Sequence, residues 1–228
     1  MSRPLIAANI ALALIAGTAL GDDAYTHVRA PSHGEASHAD ILATAFGGSF
    51  SAMGRDFSNG SITAVRNKDY SHYGNDDQIW DAGNYCAKLI AAENCADVGF
   101  GYVKGTHGGT YRELFDDSDL GAMASVSLDR DFRWAIKVDG WIWDSVYTSR
   151  EADNWGKDMM VSYTMYNASG SKIGSFLFFE DTKHNSDKDF NDIAVLLCLV
   201  PTPQAASMGL LGLGGLGILA GRRRRSAI

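Results

Sequence analysis

Between residues 41 and 199 the apolar residues come in short stretches separated by Gly, Asn and Asp clusters, the punctuation of an antiparallel β protein. Strands are predicted over 41–46, 61–66, 98–103 and 122–128. The clearest signal is the pair Phe132–Val138 and 141–147, joined by Asp139-Gly140 as a two-residue hairpin turn. That turn sets Val138 opposite Trp141, Ile136 opposite Trp143 and Phe132 opposite Tyr147, with Trp134 on the same face. Arg133, Lys137 and Asp144 take the other face, so one side is core and the other wet. Segments 159–167 and 172–180 form a second hairpin around Ala168-Ser169-Gly170. Ile193–Leu199 is apolar at nearly every position, as a strand buried on both faces is. One helix is predicted, over 85–93, capped by Asn84. The expected fold class is all-β: an antiparallel, jelly-roll-like β-sandwich with one short helix.

The ends follow other patterns. Residues 1–21 carry one Arg, an apolar run from Leu5 to Leu20 and a small-x-small site at Ala19-Leu20-Gly21, which reads as a secretory signal helix. Residues 22–40 are polar and read as a flexible lead-in. Within them His33-x-Glu35-x-x-His38 lacks the spacing that puts two histidines on one helical face, so a solvated linker is expected rather than a metal site. The folded domain then spans 41–199, and 200–228 forms a separate tail. In the tail Val200-Pro201-Thr202-Pro203 precedes an apolar stretch, 205–221, that as a helix would be about 25 Å long. Arg222, Arg223, Arg224 and Arg225 follow it, a basic flank that stays cytoplasmic and leaves the domain outside.

Composition sharpens this picture through charge. The 228 residues carry a formal net charge of -7, but five of the 20 basic residues sit in the two end segments, which hold no acid. The middle therefore has 15 basic against 27 acidic residues, a net of -12. Such a domain repels phosphate backbones and attracts hard cations, which argues against nucleic acid as a partner. The three cysteines, Cys86, Cys95 and Cys198, have no zinc-type spacing, and one disulfide plus one leftover thiol is the expectation for an exported protein. Cys86–Cys95 is the nearest pair. A complete helix over 85–93 would hold those sulfurs roughly 13 Å apart, so the bridge requires the helix to end early.

The tail, from Val200 through Pro201 and Pro203 to the four arginines, resembles the PEP-CTERM sorting signal of bacterial exported proteins, with Thr202 where that family usually has Glu. The resemblance implies an exosortase-type processing enzyme as partner and transient inner-membrane anchoring. It also implies a destination at the cell surface, the outer membrane or an exopolysaccharide matrix.

The densest chemistry lies between 179 and 192. Glu180, Asp181, Asp187, Asp189, Asn191 and Asp192 place six oxygen-bearing side chains within thirteen residues, on a loop joining two strands predicted to be neighbours. Calcium takes six to eight oxygens in flexible geometry and suits such a set. The loop is no EF-hand, since Asp192 stands where the invariant Gly belongs and Cys198 where the closing Glu does. Phe179-Glu180-Asp181 and Asp187-x-Asp189-Phe190-Asn191-Asp192 resemble an extracellular β-domain often found before PEP-CTERM tails, for which calcium binding is proposed. The competing reading is an acidic turn whose side chains satisfy their own backbone.

Catalysis finds less support. Gly105-Thr106-His107-Gly108-Gly109 offers an isolated histidine without a nucleophile motif, and a Gly-rich turn accounts for it. A secreted hydrolase would need two carboxylates across a cleft, which no motif marks. A carbohydrate-binding module is the stronger rival. Trp80, Trp141, Trp143 and Trp155 are candidate stacking surfaces, with Trp155 the one expected to be exposed. The sequence thus reads as a non-enzymatic exported protein associated with extracellular polysaccharide.

Overall fold

The computed structural model describes residues 24–32, 34–69, 76–93, 97–140, 144–182 and 186–199. The terminal segments 1–21 and 200–228, with the sorting residues Val200, Pro201, Pro203 and Arg222 to Arg225, lie outside them, as do His33, Cys95, Trp141 and Trp143. Among the described residues one α-helix, α1 (His38–Phe46), precedes twelve strands. These are β1 (Ser51–Met53), β2 (Asp56–Ser58), β3 (Ile62–Arg66), β4 (Gly83–Ala92), β5 (Val98–Lys104) and β6 (Tyr111–Asp116) in the first half. The second half holds β7 (Met123–Leu128), β8 (Phe132–Val138), β9 (Ser145–Thr148), β10 (Met160–Asn167), β11 (Lys172–Phe179) and β12 (Ile193–Leu199). They form an eight-stranded sheet, ordered β1-β2-β3-β10-β11-β12-β4-β7, and a four-stranded sheet, ordered β6-β5-β8-β9. Every pairing between strands is antiparallel. The expected all-β sandwich is therefore present.

The long sheet is covered on both sides, and the alternation along β11 shows how. Leu177 and Phe179 face the short sheet, while Phe176 and Phe178 face α1. On the sandwich side Phe100 stacks on Trp134 with centroids 5.3 Å apart, and Phe132 meets Trp134 edge-on at 4.9 Å. On the helix side Ile41 and Leu42 pack with Tyr163, Phe176 and Phe178. β12, apolar throughout, divides its residues between the two cores: Ile193, Val195 and Leu197 on one side, Ala194 and Leu196 on the other.

Five sequence expectations are corrected. The strand predicted at 41–46 is the end of α1, which Ser37 opens: its hydroxyl accepts from the Asp40 amide at 3.3 Å, and Asp40 accepts from the Ser37 amide at 3.1 Å. The helix predicted over 85–93 is β4, because β12 and β7 offer ladders on both its edges, and sheet pairing there outweighs helix propensity. That strand sets Cys86 directly opposite Cys198, with α-carbons 5.2 Å apart, and the disulfide is Cys86–Cys198 rather than Cys86–Cys95. The β8–β9 hairpin does not turn at Asp139-Gly140: Val138 pairs with Ser145 and Ile136 with Tyr147, four residues away from the predicted register. An even shift keeps every side chain on its face, so Phe132, Trp134, Ile136 and Tyr147 are all core as expected. Finally, Arg133 is not wet. It is 2% exposed, ion-paired with Asp153 from a short 3-10 turn (Glu151–Asn154), and its Nε donates to the Gly105 carbonyl at 3.0 Å.

The lead-in is likewise no free linker over its described residues. The Arg29 amide donates to the Lys188 carbonyl at 2.9 Å, the Asp69 amide to the Ala24 carbonyl at 3.0 Å, and Ser32 bonds two acids of the 180–192 loop. This strap brings the start of the domain onto the loop that carries the candidate chemistry.

Candidate metal centre

β11 and β12 are neighbours, and their ladder closes at Phe179 opposite Ile193. The loop between them must therefore leave and return at one place, which brings Glu180 and Asp181 to Asp192. The Asp181 amide donates to Asp192 Oδ2 at 2.8 Å. Glu180, Asp181 and Asp192 each place a carboxylate oxygen within 4.8 Å of the others. By the same measure Asp187 and Asp189 form a second group, and its third member is Glu35 from the strap. Of the six residues expected to act together, the five acids are thus divided into two groups, each with a geometry able to hold a metal ion.

The second group is held tightly. Lys188 and Phe190, on either side of Asp189, both have left-handed backbones, with φ of 63° and 55°. Such conformations persist in non-glycine residues only where the surroundings fix them. Here the Lys188 carbonyl accepts from Arg29, the Phe190 carbonyl from His38 Nε2 at 3.0 Å, and the Phe190 ring is buried. Asp189 is set between these two anchors. Its Oδ2 accepts from the Ser32 amide at 3.2 Å, and Asp187 Oδ2 accepts from the Ser32 hydroxyl at 2.6 Å.

His38, a member of the rejected histidine pattern, is a structural residue. It is buried, stacked on Phe178 with centroids 3.9 Å apart. Because Nε2 must donate to the Phe190 carbonyl, Nδ1 accepts from the Tyr163 hydroxyl at 3.1 Å. Burial lowers its pKa to about 4, so the ring is neutral and one tautomer serves both contacts.

The acids show the opposite shift. Burial, then the charges of Asp187 and Asp189, raises Glu180 to about 7. Burial and Asp187 raise Asp189 to about 6. Asp192 rises to about 8, chiefly by burial; the Asp181 amide opposes this, and the charges of Asp181, Glu180 and Asp189 add to it. Glu180 Oε2, Asp189 Oδ1 and Asn191 Oδ1 are buried with no hydrogen-bond partner among the described residues. The Asn191 side-chain amide donates to the Ala36 carbonyl at 3.0 Å, which leaves Asn191 Oδ1 as a free acceptor among the described residues. Among the described residues the two groups offer only oxygen donors, the chemistry that suits a hard cation.

Sequence reasoning missed Glu35 and Ser32, which lie about 150 residues from their partners. An open cavity of about 390 Å³ adjoins the site, bordered by Tyr25, Arg55, Phe57, Tyr163, Asp189 and Asn191. Elsewhere, His107 bonds Thr106 in an exposed turn at 2.8 Å, and Trp80 packs edge-on against Trp134 at 6.3 Å. Trp155 is 73% exposed, as expected. Comparison of the chain with protein-family models, curated proteins and solved structures finds no match.

Proposed function

We propose that this chain is an exported bacterial surface or matrix protein, associated with exopolysaccharide, whose β-sandwich is fastened by calcium at the β11–β12 loop. The observation that carries the calcium reading is the set of buried oxygens on Glu180, Asp189 and Asn191 that lack donors among the described residues, within a loop of five carboxylates. Burying such oxygens is costly unless a cation takes the place of the missing donors. Calcium fits better than magnesium, which demands octahedral geometry and retains water. Two further features support export: the secretion-like and PEP-CTERM-like patterns at 1–21 and 200–228, and a Cys86–Cys198 disulfide that suits an oxidising compartment. The sandwich is read as jelly-roll-like because β3 lies beside β10 and β4 beside β12, pairing early strands with late ones. No catalytic role is assigned.

A carbohydrate-binding module is the second reading, favoured by the cavity whose wall combines Tyr25 and Phe57 with the candidate ligands Asp189 and Asn191. Two experiments test the proposal. Intact-mass analysis of the native protein should find a chain starting near Asp22, lacking Arg222 to Arg225; retention of those arginines would leave a plain membrane anchor. A glycan array should give no calcium-dependent binding that Tyr25→Ala removes; such binding would favour the module.

A further inference from the structure

A second set of acids lies beside the start of that loop, at the other end of the strap, where the Glu180 amide donates to the Met159 carbonyl at 3.0 Å. Asp69 follows β3, Asp77 follows a bridge between Lys68 and Asp76, and Asp158 precedes β10. Backbone contacts fix them: the Asp77 amide donates to the Lys68 carbonyl at 3.1 Å, and Trp80 Nε1 donates to the Asp77 carbonyl at 2.8 Å. The side chain of Asp77 has no such support. The residue is 3% exposed, yet neither carboxylate oxygen has a hydrogen-bond partner among the described residues, and Asp158 Oδ2 is buried in the same condition. The Ser162 hydroxyl is near enough to ease the charge of Asp77 but lies outside hydrogen-bonding geometry.

The nearby cation does not solve this. Arg66 gives Nη2 to Asp69 at 2.6 Å and lies 5.6 Å from the centre of the Tyr163 ring, while its buried Nε bonds neither Asp77 nor Asp158. Asp69 is fully engaged, accepting also from the Thr26 amide. Burial first, and then the charges of Asp158 and Asp69, push Asp77 well above the ordinary carboxylate range. Burial and Asp69 raise Asp158 to about 7. A proton shared by Asp77 and Asp158 would satisfy two of the three orphan oxygens and strand the third. A hard divalent cation can take all three, with Asp77 as a bidentate ligand. Thr26 and Asp158 also border an open cleft of about 330 Å³, shared with Ser186 and Lys188 of the loop, that gives an ion a path from solvent to Asp158.

We propose that Asp77 and Asp158, backed by Asp69 and Arg66, form a second calcium site whose ligands are distinct from those of the β11–β12 loop. The strap then runs from one site, at Thr26, to the other, at Ser32 and Glu35. Equilibrium dialysis of the full chain against radioactive calcium counts the bound ions. Asp77→Asn and Asp158→Asn should each lower the count by one, whereas Asp187→Asn with Asp189→Asn should leave this ion in place. An unchanged count in both single variants, with circular dichroism showing them folded, overturns the proposal in favour of a shared proton. A count that falls to zero with the loop substitutions alone overturns it too. Should Asp77→Asn fail to fold, Asp158→Asn, at a partly exposed position, gives the same reading. If the loop substitutions change nothing while Asp77→Asn removes an ion, the loop reading fails and this one stands.

Discussion

The two sides of the eight-stranded sheet are made by the same strands and held by different physics. On the side facing the short sheet, Phe100, Phe132, Trp134, Leu177 and Phe179 form a continuous apolar core. Apolar burial is non-directional and asks for no particular partner, so this half depends little on what is dissolved around it. On the side facing α1, Phe176 and Phe178 begin a similar core. It borders buried polar groups, however: His38, Arg66, Asp69, Asp189 and Asn191. Each of these must be matched by a donor, an acceptor or an ion. The sandwich side is unconditional, and the strap side is conditional on pH and on cations.

The sharpest way to break that division is through the sandwich core. Phe132→Ala should cost about 3 to 5 kcal/mol through the cavity it leaves. Urea unfolding in calcium and in chelator should return the same cost, since the Phe132 ring packs on Tyr85, Tyr102 and Trp134 and on none of the proposed ligands. A cost that changes with calcium would show that the two sides are not independent. The Cys86–Cys198 bridge belongs to the central strands that both sides share, and it links positions 112 residues apart. Cys198→Ser should cost about 2 to 4 kcal/mol, again irrespective of calcium.

The division also marks what was legible in the chain. β10, β11 and β12 could be read because their apolar patterns have few competing explanations, and their pairing carried the acidic loop with them. α1 was misread as a strand although Ser37-x-x-Asp40 is a capping signature, because 41–46 is too short to separate a helical period from a strand. β4 was misread in the other sense: Ala, Lys and Leu favour helix locally, and only partners distant in sequence make it a strand. The loop acids were visible as a cluster because they are consecutive. Glu35, and the trio of Asp69, Asp77 and Asp158, were not, because tertiary structure alone assembles them. No local spacing encodes such a meeting.

Acid should separate the two sides next. His38 is lowered from 6.5 to about 4, so between those values the unfolded chain binds the extra proton and stability falls as pH falls. The shift corresponds to about 3 kcal/mol. The loop carboxyls have the opposite sign. Glu180 and Asp192, raised to about 7 and about 8, are most favourable when protonated, and that contribution is lost as pH rises through those values. In chelator, acidification from pH 8 should therefore stabilise the fold, and below about 6.5 His38 offsets only part of that gain, because two raised carboxyls oppose one imidazole. Calcium holds the ligands ionised, so in calcium the His38 loss should stand alone and acidification below about 6.5 should destabilise the fold. Urea midpoints measured across this range would test it, with His38→Gln expected to lose the decline seen in calcium. Identical profiles with and without calcium would mean that the loop carboxyls do not meet the ion.

The smallest effect is the one most specific to the strap side. Extracellular calcium modules bind with dissociation constants of about 0.1 to 1 mM. At ten times such a constant one site stabilises the fold by only about 1.4 kcal/mol. For a domain of this size that is a melting shift of roughly 3 to 6 °C. Calcium should raise the melting temperature of the full chain by that amount for each occupied site, chelator should reverse it, and magnesium should do less because of its stricter geometry. Asp187→Ala with Asp189→Ala should remove the part of the response that belongs to the Glu35 group. Glu35→Gln, a change in the strap, should reduce it as well, which no solvated acidic turn would require. A wild-type melting curve unmoved by several millimolar calcium would refute the loop site. The buried oxygens of Glu180, Asp189 and Asn191 would then be satisfied by protons and water, and the conditional side of the sheet would answer to pH alone.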